Sequence, residues 1–210
     1  MDFEEQLTRI LPSDLPHRDR VIQKTAQHLQ MIAAVNDHMN LTRITTPQEA
    51  AIKHVYDSVA PWRCFQGAKR ILDAGTGAGF PGIPLSLVLP DARFILAESI
   101  QKKARFVDSA VESLELSNVH LISERAEQIA LSEKPEIITA RAVAPVHKLI
   151  DLFRKPLRQG ARMILYKGPD AEVELAEAKK DRFSMQTVFR YELPEGHGVR
   201  TIVQIRAQPR

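Results

Sequence analysis

Cysteine is almost missing from this chain. Of 210 residues only Cys64 carries a thiol, so an internal disulfide and a multi-cysteine zinc site are both excluded. A lone thiol reads as a small buried side chain before it reads as a nucleophile. Long apolar runs are missing too. Each falls far short of a membrane span and is broken by Pro or charge, which argues against a spanning helix. The N-terminal MDFEEQL has no apolar signal core, and the expectation is a cytoplasmic protein. The histidines show no metal-ligand spacing, so no metal is expected. There are no internal repeats and no low-complexity tract.

A large charge excess is also lacking. The net formal charge is +3, too small by itself to identify a polyanionic partner. Its distribution says more. Between Arg141 and Lys167 stand Arg141, Lys148, Arg154, Lys155, Arg158, Arg162 and Lys167, against the single acid Asp151. Lys102, Lys103 and Arg105 form a second cluster. A phosphate-binding face needs such clustering, but a solvated surface tolerates it, and charge alone leaves both readings open.

What is present is ordinary for one globular domain, or one domain with an extension: 44% hydrophobic and 26% charged residues leave ample material for a core. Residues 1–65 read as helical. Apolar positions Val21, Ile22, Ala26, Leu29, Ile32 and Ala33 form a helical stripe within 21–35. Thr45, Thr46 and Pro47 open a second helix over 46–59. From Ala68 onward strands and helices alternate. Strands are predicted at 70–73, 93–97, 119–123, 137–140, 162–166, 185–191 and 201–206, and helices at 84–88, 102–114, 126–129, 146–153 and 171–180. This order predicts an α/β fold, a mostly parallel sheet with helices on both faces and a ligand at the carboxyl ends of the strands. The last two strands are joined only by a Gly- and Pro-bearing link, so they should pair antiparallel.

Residues 71–82 read ILDAGTGAGFPG. An apolar strand ends at Asp73, and glycines follow at Gly75, Gly77 and Gly79. A turn free of side chains lets backbone N–H groups approach a ligand beside a helix start. The form is G-x-G-x-G. The final glycine of the dinucleotide fingerprint would fall at Phe80, which disfavours a nicotinamide cofactor. With the acid before the turn and Glu98 ending the next strand, the pattern suggests an S-adenosylmethionine pocket. Glu98 is placed to accept ribose hydroxyls; the alternative is a surface acid paired with Lys. Glu127 stands either at an adenine edge or simply as a first-turn acid. Arg141, ending the fourth strand, either pairs with Glu127 or orients a substrate. Lys167, ending the fifth, either reaches a phosphate or base carbonyl or is an exposed strand-end charge. His54, Asp57 and Ser58 share one helix face, and without a strained nucleophile turn they read as capping or packing residues.

GTGAGFPGIPL, with NLTRI, KHVYDS, SIQKKARF, ERAEQI, ARAVAP and YKG, resembles the RsmG (GidB) family of bacterial small-subunit (16S) rRNA guanine-N7 methyltransferases. The likeness runs from about Asn36 to Arg206. It implies a class I (Rossmann-like) methyltransferase sheet of seven strands at 66–210, with a helical N-terminal extension at 1–65. It implies S-adenosylmethionine as cofactor, contacted at Gly75, Gly77, Phe80, Ala126, Glu127 and Arg141, with Glu98 on the ribose. Arg141 and Lys167 would hold the base, and Lys102, Arg125 and Arg200 would grip RNA phosphates. The expected partner is 16S rRNA or the small ribosomal subunit, with the protein acting as a monomer away from membranes. The chain departs from the family at Val35, where Trp is frequent, at Glu98, where Asp is usual, and at Ala140, where Ser is usual. Other readings are a methyltransferase for small molecules or proteins and an RNA-binding module with a vestigial pocket.

Overall fold

The computed structural model describes residues 2–44, 46–178 and 182–208. Thr45, offered above as a capping residue, and Lys179 and Lys180, at the end of the last predicted helix, lie outside them. The chain opens with helices α1 (Phe3–Ile10) and α2 (Arg18–Met39). Next comes a continuous helical run of α3 (Pro47–Ala50), a wide π-helical turn (Ala51–Tyr56) and α4 (Asp57–Val59). Thr46 caps this run, accepting the Glu49 N–H at 3.3 Å, with Pro47 in the first turn where no backbone donor is needed.

The alternating part follows as β1 (Arg70–Ala74), α5 (Gly82–Val88), β2 (Arg93–Ala97), α6 (Gln101–Ser113), β3 (Val119–Ile122), α7 (Ala126–Glu133) and β4 (Ile137–Arg141). It continues through α8 (Val146–Leu152), α9 (Arg154–Arg158), β5 (Arg162–Lys167), α10 (Ala171–Glu177), β6 (Phe183–Glu192) and β7 (Val199–Ala207). All seven strands stand where the alternation places them. The predicted helix at 146–153 corresponds to α8, and it is followed by α9, a short helix that the sequence reading did not predict.

The sheet order is β3-β2-β1-β4-β5-β7-β6. β1 to β5 are mutually parallel, and β7 runs antiparallel to both β5 and β6. The inner strands are covered on both faces, which is why RILDA, RFILA and RMILYK are apolar almost throughout rather than alternating. One face buries Ile71, Phe94, Leu96, Ile137, Ile164 and Ile202 in a core shared with Leu7, Val21, Leu29 and Val55 of the N-terminal helices. The other buries Leu72, Ile95, Ile138, Leu165 and Val203 against Ile129, Leu149 and Phe153.

β6 changes face partway along. Thr187 pairs with Val203, but Phe189 pairs with Ile202, leaving Val188 as an extra residue. Before this bulge Phe183 and Met185 face the second core, whereas after it Tyr191 packs on the first.

The glycine turn is wedged by a close approach of α5 to the sheet. A Cβ added at Gly82 would lie 2.2 Å from Leu96 Cδ2 and 2.8 Å from Asp73 Oδ2. Leu96 is fully buried and has no room to yield. Gly82→Ala should therefore destabilise the fold by about 1–3 kcal/mol. Urea unfolding measures this, and an unchanged midpoint would show that the contact is slack.

Candidate functional site

Asp73 is completely buried at the end of β1. Its Oδ2 accepts hydrogen bonds from Thr76 Oγ1 at 2.6 Å and from the Gly82 N–H at 2.9 Å. These two bonds fold the turn back onto its strand. The second oxygen, Oδ1, has no hydrogen-bond partner. Burial outweighs the two donors and Arg141 and raises the carboxyl pKa to about 6.

Within the turn Gly77 has φ +63° and nothing within 4 Å of where a Cβ would stand. Its N–H donates to Glu98 Oε2 at 3.1 Å, and the Ile100 N–H donates to Oε1 at 2.8 Å. Glu98 is thus a nearly buried carboxylate fixed by two backbone donors beside open, side-chain-free backbone. Each carboxylate oxygen has about two acceptor sites, so each keeps one for a hydroxyl. Asp73 Oδ1, the open space at Gly77 and the spare capacity of Glu98 together fit a nucleoside-bearing cofactor at the turn.

Phe80 turns away from that space. Its ring is buried between His54 (centroids 4.6 Å apart, planes within 8°) and His28 (4.9 Å). Both imidazoles have lowered pKa values, about 3 for His54 and about 4 for His28, because burial disfavours the cation. Neutral histidines are thus packing partners for Phe80, and they tie α2 and the π-helical turn to the glycine turn.

Arg141, half-buried, does not pair with Glu127. Its Nη1 donates to Asp57 Oδ2 at 3.1 Å and to the Lys53 carbonyl at 3.0 Å, while the guanidinium sits 5.6 Å from the Phe80 ring centroid. Asp57 is only 2% exposed, so its charge must be met locally. Arg200 Nε lies 3.3 Å from its Oδ1, and Tyr191 donates its hydroxyl there at 2.8 Å. Burial and the nearby carboxylate push the Tyr191 phenol far above its ordinary range, which keeps it a donor. Asp57 was read from sequence as a packing residue. Its role in gathering Arg141, Arg200 and Tyr191 was missed, as was Gly82's close contact. His54 and Ser58 do pack as read, Ser58 accepting Tyr166 Oη–H on its carbonyl at 2.7 Å.

Lys167 belongs to a different cluster. Through the registers Arg141–Tyr166–Ile202, Arg141 shares the face of the first core, while Lys167, one residue beyond Tyr166, lies on the other. Its ammonium pairs with Glu174 at 2.8 Å and donates to the Ala144 carbonyl at 3.0 Å. Glu127 is half-buried in the first turn of α7, and Ala126 beside it packs on the second core. Arg125, just before α7, is exposed. Lys102 is exposed and donates to the His38 carbonyl at the end of α2. Gly75, also exposed, donates its N–H to the Ala97 carbonyl at 2.9 Å.

In sheet order this edge carries Arg125 after β3, Glu98 and Lys102 after β2, the glycine turn after β1, Arg141 on β4, Lys167 on β5 and Arg200 at the start of β7. The structure brings Arg141 and Arg200 into contact through Asp57, and it strings the others along the same edge. Among the described residues no group of three His, Cys, Asp or Glu side chains is arranged to hold a metal. No described helix is long and apolar enough to cross a membrane.

Comparison with known proteins gives a consistent result. The family model for rRNA small subunit methyltransferase G matches residues 21–203. A Solibacter usitatus protein of that name is 57% identical over 210 residues, spanning 98% of this chain and 100% of its own. One from Carboxydothermus hydrogenoformans is 35% identical, spanning 87% and 81%. Among solved structures, a Bacillus cereus O-methyltransferase in complex with SAH superposes with a TM-score of 0.58 at 18% identity, covering 86% of this chain and 90% of that one. A Bacillus subtilis tRNA methyltransferase gives 0.59 at 16% identity, covering 75% and 68%. These two structures establish the fold: a class I methyltransferase α/β sheet.

Asp73 offers a pH test of the turn. Its native pKa lies above the unfolded value of 3.8, so the native state binds the proton more tightly. The stability this adds is full below about pH 4 and is lost as pH rises through about 6. Asp73→Asn keeps an oxygen for Thr76 and Gly82 but has no proton to lose. Relative to wild type it should gain on the order of 2 kcal/mol between pH 4 and 7, over a constant offset from its buried amide N–H. His28 and His54 titrate in the opposite sense in both proteins and cancel in the difference. Urea midpoints across this range check it, and parallel curves would refute it.

Proposed function

The chain belongs to the rRNA small subunit methyltransferase G family, and on that premise we propose that it methylates nitrogen 7 of one guanine in 16S rRNA. It is an S-adenosylmethionine-dependent methyltransferase acting on small-subunit rRNA. The observation that carries the cofactor assignment is Glu98, held by the Gly77 and Ile100 N–H groups beside the open turn. Gly75 and Gly77 would line the cofactor with their backbone, Ala126 and Glu127 would meet its base, and Glu98 would take the ribose hydroxyls. Phe80 would contribute through its backbone, its ring being committed to His28 and His54.

S-adenosylmethionine supplies an electrophilic methyl group on a sulfonium. Guanine nitrogen 7 carries an exposed lone pair and no proton. The bound cofactor would supply that methyl together with its leaving group, since the electron pair of the carbon–sulfur bond would stay on sulfur as nitrogen 7 takes the carbon. Nothing needs deprotonation to begin, so the site needs no general base. The work left to the protein is alignment, which at best can lower a barrier by about 7–11 kcal/mol. Arg141 suits this role. Asp57 and Lys53 engage only Nη1, which leaves Nε–H and Nη2 to hold the guanine carbonyl edge. Lys167, fixed by Glu174 on the other face of the sheet, would border the site at the neighbouring strand end rather than share that base. Positive charge appears on the product base, so Arg141 positions the ring rather than stabilises charge.

Lys102, Arg125 and Arg200 would contact phosphates along the edge. In this reading residues 1–65 form a helical extension to a methyltransferase domain at 66–210, and the protein works as a cytoplasmic monomer.

Small subunits from cells lacking the enzyme, incubated with labelled S-adenosylmethionine and digested to nucleosides, should yield label in 7-methylguanosine. Label in another nucleoside would overturn the nitrogen-7 assignment. Lys102→Ala should weaken subunit binding and lower its salt dependence by about one counterion, with cofactor affinity intact. Equal loss of both affinities would remove Lys102 from the RNA surface.

A further inference from the structure

The edge of the sheet opposite the glycine turn carries a cleft that none of the roles above uses. Its volume is about 530 Å³, and it opens between residues 66–68, just before β1, and the end of α9. Arg162 begins β5 and Arg206 lies near the end of the antiparallel β7, so both arginines line the cleft from this edge. They stand side by side. Met163 pairs with Ile205, and the same register continued by one step puts Arg162 opposite Arg206. Both share the sheet face of Ile164, Tyr166 and Ile202, the face of the first core. About 17 Å of strand separates Arg162 from Lys167 at the other end of β5.

Like charges facing each other across a strand pair repel, and no acid among the described residues pairs with these two. The half-buried Arg162 has no side-chain hydrogen bond or ion pair among the described residues. Arg206 is exposed, and its Nη2 donates to the Gln204 amide oxygen at 3.0 Å, which leaves its other donors free. Burial lowers the Arg162 pKa, and the charge of Arg206 lowers it further. The one acid lining the cleft is Glu136, whose two oxygens accept the Lys69 N–H at 3.3 Å. The carbonyls of Lys155, Pro156 and Leu157 near the end of α9 are already taken by the N–H groups of residues 159–161. Gly67 and Gly160 line the same cleft, and nothing lies within 4 Å of where a Cβ would stand at either. Two guanidinium groups with spare donors in an open cleft match the oxygens of a phosphate, which answers both charges at once.

We infer that Arg162 and Arg206 form a phosphate-binding site at the edge where the parallel strands begin, remote from methyl transfer. A phosphodiester of the small-subunit RNA is the occupant that the substrate supplies, and a free phosphate anion has the same chemistry. The RNA source rests on the rRNA reading above, whereas the site itself does not. A contact here holds the subunit at a second point and adds affinity without touching the reacting atoms.

Affinity for small subunits from cells lacking the enzyme, measured against salt, tests the site with the full chain. Arg162→Gln and Arg206→Gln should each lower the slope of log affinity against log salt by about one, and the double variant by about two. Affinity for S-adenosylmethionine and the rate of methyl transfer at saturating subunit should stay at wild type. In parallel, inorganic phosphate replaces chloride at fixed ionic strength while the thermal midpoint is followed. Phosphate held at the site raises the wild-type midpoint more than that of the double variant, which records the general effect of the salt. A lowered slope, with or without that differential shift, assigns the site to RNA. An unchanged slope with the differential shift assigns it to a free phosphate anion. An unchanged slope with equal shifts overturns the site, leaving two solvated charges and the rRNA reading intact. A wild-type chain that neither binds nor methylates subunits overturns the rRNA reading, and the phosphate shift then decides the site alone.

Discussion

A buried carboxylate on the N-terminal helical run organises the functional edge of this protein. Asp57 lies at the start of α4, almost wholly removed from water, and is met by Arg141 from β4, Arg200 from β7 and Tyr191 from β6. A charge in that position is tolerable only if its partners arrive in a fixed geometry. The demand runs both ways. The carboxylate holds two arginines that would otherwise repel each other, and it gives each a defined direction. The strand ends at this site are therefore set by a residue outside the sheet. The π-helical turn just before Asp57 takes part as well, since its Lys53 carbonyl accepts the same Nη1 of Arg141.

The glycine turn is built on a second buried carboxylate with the opposite solution. Asp73 has no cation in direct contact and relies on two short-range donors, Thr76 and Gly82. One oxygen is left bare and the acid is weakened. Gly82 serves twice here, donating its N–H to Asp73 and leaving room for Leu96. The close helix–strand contact that dinucleotide folds obtain from a glycine at the position of Phe80 is obtained two residues later. Position 80 is thereby released to carry a ring, which links the turn to His28 and His54.

The strands were legible because burial on both faces leaves continuous apolar runs, and the turn was legible because its glycines are adjacent in sequence. Glu98 could be found by its position at the end of β2. The Asp57 cluster could not. Its arginines lie 84 and 143 residues away, and no local pattern announces a contact of that range. The motif HVYDS shows a polar helix face, and helix geometry says nothing about what meets it. Phe80 was counted as an obstacle to one cofactor, since its stacking partners come from two other helices. Lys167 and Arg141 end neighbouring strands and looked like a pair. A one-residue difference in register puts them on opposite faces of the sheet. The bulge was hidden because 185–191 reads as one unbroken strand, and the extra residue is defined only by what β7 offers opposite it.

That extra residue separates two kinds of sequence change. Val188 is partly exposed, and its side chain is not what matters; many residues in its place would leave the hairpin intact. What matters is that it is there. The alternation of faces is counted residue by residue from the bulge onward, so losing one position would turn Tyr191 from the helical layer to the opposite core and leave Asp57 short of a donor. The segment before the hairpin link is thus permissive in composition and strict in length. A gap of one residue there would be a larger event for this protein than most substitutions along the same strand.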